Sequence, residues 1–287
     1  MKKIILLLGA LLCVGAFPLS GRSRMVNESV SSKILGQTIA VNVYLPDGFD
    51  ASKGPYPVLY LLHGLTDDHK AWQERGGLQT VLDELVGTGE AVPMVVVMPR
   101  AGDPDTHRYQ NGYFNVRNWS YEDFFFGELI PALESRYHCG GAKARRAVSG
   151  LSMGGGASVV YCQRHPDMFS SCYAMSPWLD NKNNEVGMPA DKEDRLYLTG
   201  ASVREHSAVD FMDRADKDAL DALRSVKWFL DCGDDDYLLH LSMDLYAKMR
   251  QKGVKCEFRV RNGSHSWEYW HTALRLSLPF ASRNFSR

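Results

Sequence analysis

What the chain lacks narrows its function before any motif is found. It has no excess of one charge: 33 Lys and Arg stand against 34 Asp and Glu in 287 residues, with no long block of like charge. Non-specific binding to a phosphate backbone needs clustered basic side chains, so the balance argues against a nucleic-acid partner and points to a small neutral or mildly polar one. No C-x-x-C pair occurs, and no histidine pair sits near the cysteines at zinc-ligand spacing. Neither a metal nor an organic cofactor is therefore expected. Internal repeats, low-complexity tracts and Pro/Ser linkers are missing too, so the length reads as one large domain. The apolar run Ile4–Val14 is shorter than the roughly 18 residues of a spanning helix, so no stable membrane span is expected.

That run has another reading. Lys2 and Lys3 precede it and the small residues Gly15 and Ala16 follow, which is the order of a secretory signal. Residues 1–24 are expected to be a leader, cleaved between Ala16 and Arg24, and residues 25–287 an exported (secreted or periplasmic) catalytic domain. Leu11 and Leu12, before Cys13, are bulkier than lipoprotein processing tolerates, which argues against a lipid anchor. Five cysteines remain beyond it: Cys139, Cys162, Cys172, Cys232 and Cys256. An odd number leaves at least one thiol unpaired within the chain, and their residue spacing gives no connectivity. They read as small buried apolar side chains.

What is present is an alternation of two patterns. Gln37–Leu45 alternates apolar and polar residues and ends at Pro46-Asp47-Gly48, a half-exposed strand and its turn. Val58–Leu62, Met94–Met98, Arg146–Val148, Lys227–Leu230 and Glu257–Val260 are short strands, most of them apolar on both faces, as a parallel sheet covered by helices requires. Helical stretches lie between and after them: Leu78–Leu85, Tyr121–Tyr137 (kinked or divided at Pro131), Met153–Arg164, Asp210–Leu223, Leu238–Lys252 and Ser266–Phe280. This predicts an α/β fold: a mostly parallel, twisted sheet with helices on both faces and an antiparallel N-terminal strand or hairpin. Ala101–Trp119 and Trp178–Val209 read as insertions after strands, candidate walls of a substrate cleft.

Gly150-Leu151-Ser152-Met153-Gly154 fits the G-x-S-x-G nucleophile elbow. The chain must pass from strand to helix in about one residue, leaving the serine strained and its hydroxyl exposed; the flanking glycines let strand and helix approach closely. A serine hydroxyl needs an adjacent base, and in this arrangement the partners follow as Asp or Glu and then His. Of nine histidines, His265 lies in Asn262-Gly263-Ser264-His265, just after a strand, at the edge where catalysis occurs. His165, His240 and His271 read as structural or surface residues. The acid lies among the aspartates of Asp231-Cys232-Gly233-Asp234-Asp235-Asp236: Asp231 is still in the strand, Asp234 and Asp235 look like turn residues. Spacing favours Asp236 over Asp235 only modestly.

Leu61-Leu62-His63-Gly64, Gly150–Gly155, Cys232-Gly233 with Asp236-Tyr237-Leu238, and His265-Ser266-Trp267-Glu268-Tyr269-Trp270 together resemble the esterase D-type α/β-hydrolases. That group includes S-formylglutathione hydrolases, feruloyl and acetyl-xylan esterases, tributyrin-type esterases and antigen 85 mycolyltransferases. The resemblance runs from about Gln37 to Phe280. It implies Ser152, Asp236 and His265 as the triad, with the backbone N–H groups of Leu65 and Met153 as the oxyanion hole. It implies a secreted serine carboxylesterase acting on acetyl or feruloyl esters of plant polysaccharide or on short-chain esters, so the expected partner is a small ester or acylated carbohydrate. An acyltransferase of the mycolyltransferase type, or a silent hydrolase scaffold acting as a binding module, are the alternatives. His63 is expected to make a structural hydrogen bond under the site. Among the aromatics Tyr109, Tyr113, Phe114, Trp119, Trp178 and Trp267, the three expected to touch substrate are Tyr113, Trp178 and Trp267.

Overall fold

The computed structural model describes residues 22–102 and 112–286. The leader assigned to residues 1–24 therefore falls almost wholly outside the described residues, as does Tyr109. Strand pairing is already in progress at Arg24, and the Ser23 hydroxyl donates to Asp83 at 2.6 Å.

Among the described residues ten strands form: β1 (Arg24–Ser31), β2 (Thr38–Leu45), β3 (Val58–Leu62), β4 (Val95–Pro99), β5 (Asn115–Val116), β6 (Trp119–Ser120), β7 (Arg146–Leu151), β8 (Ser171–Met175), β9 (Lys227–Gly233) and β10 (Cys256–Arg261). Eight of them make one sheet in the order β1-β2-β4-β3-β7-β8-β9-β10. From β4 to β10 every neighbour is parallel, while β1 and β2 form an antiparallel hairpin joined antiparallel to β4. This is the mostly parallel sheet with an antiparallel N-terminal hairpin that the strand and helix pattern predicts, and the α/β-hydrolase fold that the resemblance implies.

The apolar strands are continuous because both faces are covered. On β3, Val58, Tyr60 and Leu62 enter one core while Leu59 and Leu61 enter the other; β4 divides its residues the same way. That is the period of two of a pleated strand. Helices α1 (Ala71–Glu74), α2 (Leu78–Gly87) and α10 (Trp267–Arg283) bury Trp72, Leu78, Leu82 and Leu274 against one face. The other face carries α3 (Tyr121–Phe124), α4 (Ile130–Tyr137), α5 (Ser152–Arg164), α7 (Ala208–Arg214), α8 (Lys217–Leu223) and α9 (Leu239–Gln251), with α6 (Arg195–Glu205) beyond them. Each large apolar side chain so buried contributes roughly 1.5–3 kcal/mol.

Two helices differ from expectation for local reasons. Around Pro131 the helix does not break: a π turn, Phe125–Leu129, joins α3 to α4. Proline removes one N–H and crowds the carbonyl four residues back, and a widened turn relieves both. Asp210–Leu223, expected as one helix, is two, because the Asp216 carboxylate accepts the Ala219 N–H at 2.9 Å and starts a new helix. Trp178–Val209 is not merely irregular, since it contains α6 and runs into α7. All five described cysteines are free, four of them buried.

Candidate active site

The C-terminal ends of the parallel strands meet at one edge, and the site assembles there. β7 ends at Leu151 and α5 begins at Ser152, whose φ is +52°. A non-glycine residue in the left-handed region is uncommon and marks strain held by its surroundings. The glycines around it are dictated by close approach rather than by flexibility. A Cβ on Gly154 would lie 2.6 Å from the His63 carbonyl oxygen and 2.7 Å from the Leu62 carbonyl carbon; one on Gly156 would overlap the Trp178 carbonyl oxygen. Helix α5 can therefore start against the ends of β3 and β8 only if these positions have no side chain.

His265 reaches the elbow from the loop after β10. Its Nε2 lies 2.9 Å from Ser152 Oγ, and its Nδ1 lies 2.9 and 3.1 Å from the two oxygens of Asp236, which comes from the loop after β9. An ionised carboxylate only accepts, so Nδ1 donates to Asp236 and Nε2 is left to accept the serine O–H. Burial pushes the Asp236 pKa up, but hydrogen bonds from His265 and the Leu238 N–H, with the attraction of the imidazole, outweigh it. The net direction is down, so Asp236 stays ionised throughout the range above ordinary carboxylate titration.

The other aspartates do different work. Asp231 is fully buried and accepts from Tyr173 (2.7 Å), Tyr269 (2.5 Å) and Arg261 (3.1 Å). A buried charge must be paired, and here its partners tie β8, β10 and α10 to β9 beneath the site. Asp234 accepts the Gly263 N–H at 2.8 Å, and the Asp235 N–H donates to the Gly263 carbonyl at 3.0 Å, so both hold the histidine loop.

A cavity of about 390 Å³ opens over Ser152 and His265, walled by Leu65, Asp67, Trp178, Val186, Tyr237 and Trp267 among others. Leu65 follows Gly64 in the turn after β3, and Met153 is the second residue of α5, where the N–H has no acceptor within the helix. Trp178 sits on the wall with its N–H on the Ser152 carbonyl (2.9 Å) and its indole N–H on Asn181 (3.2 Å). Trp267 packs edge-on against Trp72, with ring centroids 5.1 Å apart. Tyr113 is the correction. It is buried behind the site, where its hydroxyl accepts the His63 N–H at 2.8 Å, and it does not line the cavity. Its sequence position, in a segment crossing the sheet edge, allowed either role; only packing places it beneath the floor. Phe114 and Trp119 are likewise buried, Phe114 stacked on His206.

His63 holds this floor in one tautomer. Its Nδ1 lies 2.8 Å from the Gly64 carbonyl and must donate, so Nε2 accepts the Ala101 N–H at 2.9 Å. Complete burial pushes its pKa from 6.5 to about 4. The neutral form is what fits, so the folded state binds this proton less readily than the unfolded chain. His63 therefore withdraws about 3 kcal/mol of stability as pH falls from 6.5 to 4, and nothing above that range. Urea midpoints measured across that range for the wild type and for His63→Gln check this: the wild-type curve falls more steeply, and parallel curves would refute it.

Sequence patterns missed several neighbours. Asp67, three residues after Gly64, accepts from Arg75 at 2.8 Å and from the Trp267 indole at 3.3 Å. No pattern links Arg75 to the site; α1 folds back to bring it there. Ser176 was passed over because Ser171–Met175 was not recognised as a strand. A cavity of about 890 Å³ lies around Lys227, Val254 and Cys256 at the far end of β9 and β10, without a nucleophile–base pair. Among the described residues there is no cluster able to hold a metal, and no helix long and apolar enough to cross a membrane.

The chain is similar to known esterases. Residues 32–281 match the family model described as putative esterase. A ferulic acid esterase of known structure is 43% identical, with a TM-score of 0.88 over 93% of this chain and 100% of that one. An endo-1,4-beta-xylanase/feruloyl esterase of Xylanibacter ruminicola is 34% identical over 142 residues, which span 48% of this chain but only 19% of that protein. A fluorophosphonate-binding serine hydrolase of Staphylococcus aureus, 19% identical over 91% of this chain and 99% of that one, shares the fold at a TM-score of 0.75.

Proposed function

We propose, from the premise that the chain belongs to the putative esterase family, that it is an exported carboxylesterase acting on acetyl or feruloyl esters of plant polysaccharide. That it is a serine esterase follows from the family and from its 43% identity to a ferulic acid esterase. The reading of its chemistry is carried by one observation: the 2.9 Å contact between His265 Nε2 and Ser152 Oγ on the floor of the cavity.

Ser152 Oγ attacks the ester carbonyl while His265 Nε2 takes its proton, and Asp236 holds the imidazole and stabilises its charged form. The N–H groups of Leu65 and Met153 receive the developing oxyanion, each contributing about 3 kcal/mol to the transition state. The same imidazolium then protonates the departing alcohol. A water molecule, deprotonated by His265, attacks the acyl-enzyme and releases the acid. Each proton taken is returned, so no cofactor is needed.

The substrate class is supported by the site's shape. About 390 Å³ lies within the roughly 300–1,000 Å³ of small-molecule sites, and Trp178, Trp267 and Tyr237 offer rings to a phenolic or sugar face. Export is supported by the Lys2, Lys3 and Ile4–Val14 pattern. A panel of p-nitrophenyl acetate, butyrate and octanoate with methyl ferulate and acetylated xylan tests it. Turnover of acetate or ferulate esters is expected to exceed octanoate by at least about tenfold in kcat/KM, a difference of about 1.4 kcal/mol. Preference for octanoate would overturn the substrate assignment while leaving the esterase intact.

A further inference from the structure

A single exposed ring needs no explanation by itself, but the surroundings of Tyr237 supply one. It is the one exposed aromatic residue among the described residues, with 53% of its surface in water, and it stands in the wall of the cavity over Ser152. Its ring packs on the His265 ring, with centroids 4.8 Å apart and planes at 50°. The chain on either side is fixed: the Asp236 carboxylate accepts the Leu238 N–H at 2.9 Å, and His240 Nδ1 donates to the Tyr237 carbonyl at 3.1 Å. The polar edges of the other large rings in the cavity are occupied. The indole N–H of Trp178 donates to Asn181, that of Trp267 to Asp67 and that of Trp270 to Ser176, whereas the Tyr237 hydroxyl has no hydrogen-bond partner among the described residues. Of these four rings, Tyr237 alone joins an open face to an open polar edge.

Proton transfer decides which half of a substrate meets that face. His265 Nε2 takes the proton of Ser152 and must return it to the departing oxygen, so the alcohol half of the ester lies on the imidazole's side. Two rings touch the imidazole, Tyr237 and Trp270, and Trp270 is buried with its N–H turned to Ser176 Oγ. We propose that Tyr237 is the specificity-determining platform for the alcohol half of the ester, and that the group it takes is a sugar ring. A sugar presents C–H groups on one face and hydroxyls around its rim, which suits a side chain with an apolar face and a free phenolic oxygen. This rests on the esterase reading above and divides that site: the sugar lies at the imidazole side, and the acyl group occupies the rest of the cavity.

Esters that share an acyl group and differ in the alcohol test it: methyl ferulate against feruloyl-arabinose, and ethyl acetate against acetylated xylotriose. Tyr237→Leu keeps an apolar side chain on the imidazole and removes the flat face; Tyr237→Phe keeps the face and removes the hydroxyl. In Tyr237→Leu, the ratio of kcat/KM on the sugar ester to that on the simple ester is expected to fall at least about tenfold, chiefly through KM. Tyr237→Phe is expected to restore most of that ratio. Free xylotriose, added as an inhibitor of methyl ferulate turnover, should require an at least about tenfold higher concentration in Tyr237→Leu than in the wild type, while free ferulate inhibits both alike. The side chain is half exposed, so it can be changed without opening the core, and Tyr237→Ser serves equally if Tyr237→Leu misfolds. An unchanged ratio overturns the proposal, as does an equal loss on both members of each pair, which would make Tyr237 a packing residue for the imidazole. A loss that follows ferulate against acetate, whatever the alcohol, overturns it by placing the acyl group on this ring. Those failures leave the esterase standing, whereas a wild type that turns over none of the four esters removes both readings.

Discussion

Ser152→Ala is expected to reduce ester turnover by at least about 10⁴-fold, to the background of the buffer, while the protein remains folded. Among the described residues, the Ser152 hydroxyl is the one side-chain group within hydrogen-bond distance of His265 Nε2, at 2.9 Å. Removing one oxygen leaves the glycine-lined elbow, the Trp178 N–H on the residue 152 carbonyl and the core unchanged. Alanine also keeps the left-handed φ at a strain cost no greater than serine's. Circular dichroism and the thermal midpoint should therefore match the wild type while p-nitrophenyl acetate hydrolysis and fluorophosphonate labelling vanish. Residual turnover within tenfold of the wild type would show that another nucleophile does the chemistry.

Asp236→Asn is expected to lower kcat about 10⁴-fold, the size seen when the acid of such a triad becomes an amide. The reason lies in the tautomer. Asp236 accepts from His265 Nδ1 and from the Leu238 N–H. An amide keeps one acceptor oxygen and places two donors where donors already converge. The imidazole then turns its unprotonated nitrogen to residue 236 and presents N–H to the serine, which abolishes its function as base. Asp235→Asn is the control, because that residue contributes its backbone N–H to the Gly263 carbonyl and is exposed. Its kcat should stay within about twofold of the wild type, since exposed substitutions rarely disturb more than a few tenths of a kcal/mol. A larger loss in Asp235→Asn than in Asp236→Asn would reassign the acid.

The legibility of this molecule in its sequence follows the range of the forces involved. Strands such as Val58–Leu62 were readable because burial on both faces imposes an unbroken apolar run, a signal carried within five residues. Ser171–Met175 escaped because Ser, Cys and Ala give it little β signature; its place between β7 and β9 is set by its neighbours rather than by itself. With that strand went Ser176, whose contact with Trp270 depends on its position at the strand's end. The single helix expected over Asp210–Leu223 failed for the opposite reason: a local cap at Asp216 overrode a plausible apolar period.

The elbow motif and the character of strands such as Val58–Leu62 were determined along the chain, because each depends on residues within a turn or two of one another. Distances across the sheet were not. Ser152 and His265 are 113 residues apart, and their contact exists only because β7 and β10 end at the same edge of one sheet. The same closure decided that Trp178 and Trp267 face the cavity while Tyr113 lies beneath it, since periodicity tells which residues are buried but not what they are buried against. It also brought Arg75 to Asp67, and Trp270 to Ser176 from 94 residues away. Local chemistry is written in short windows; the pairing of distant groups is decided by which elements pack side by side.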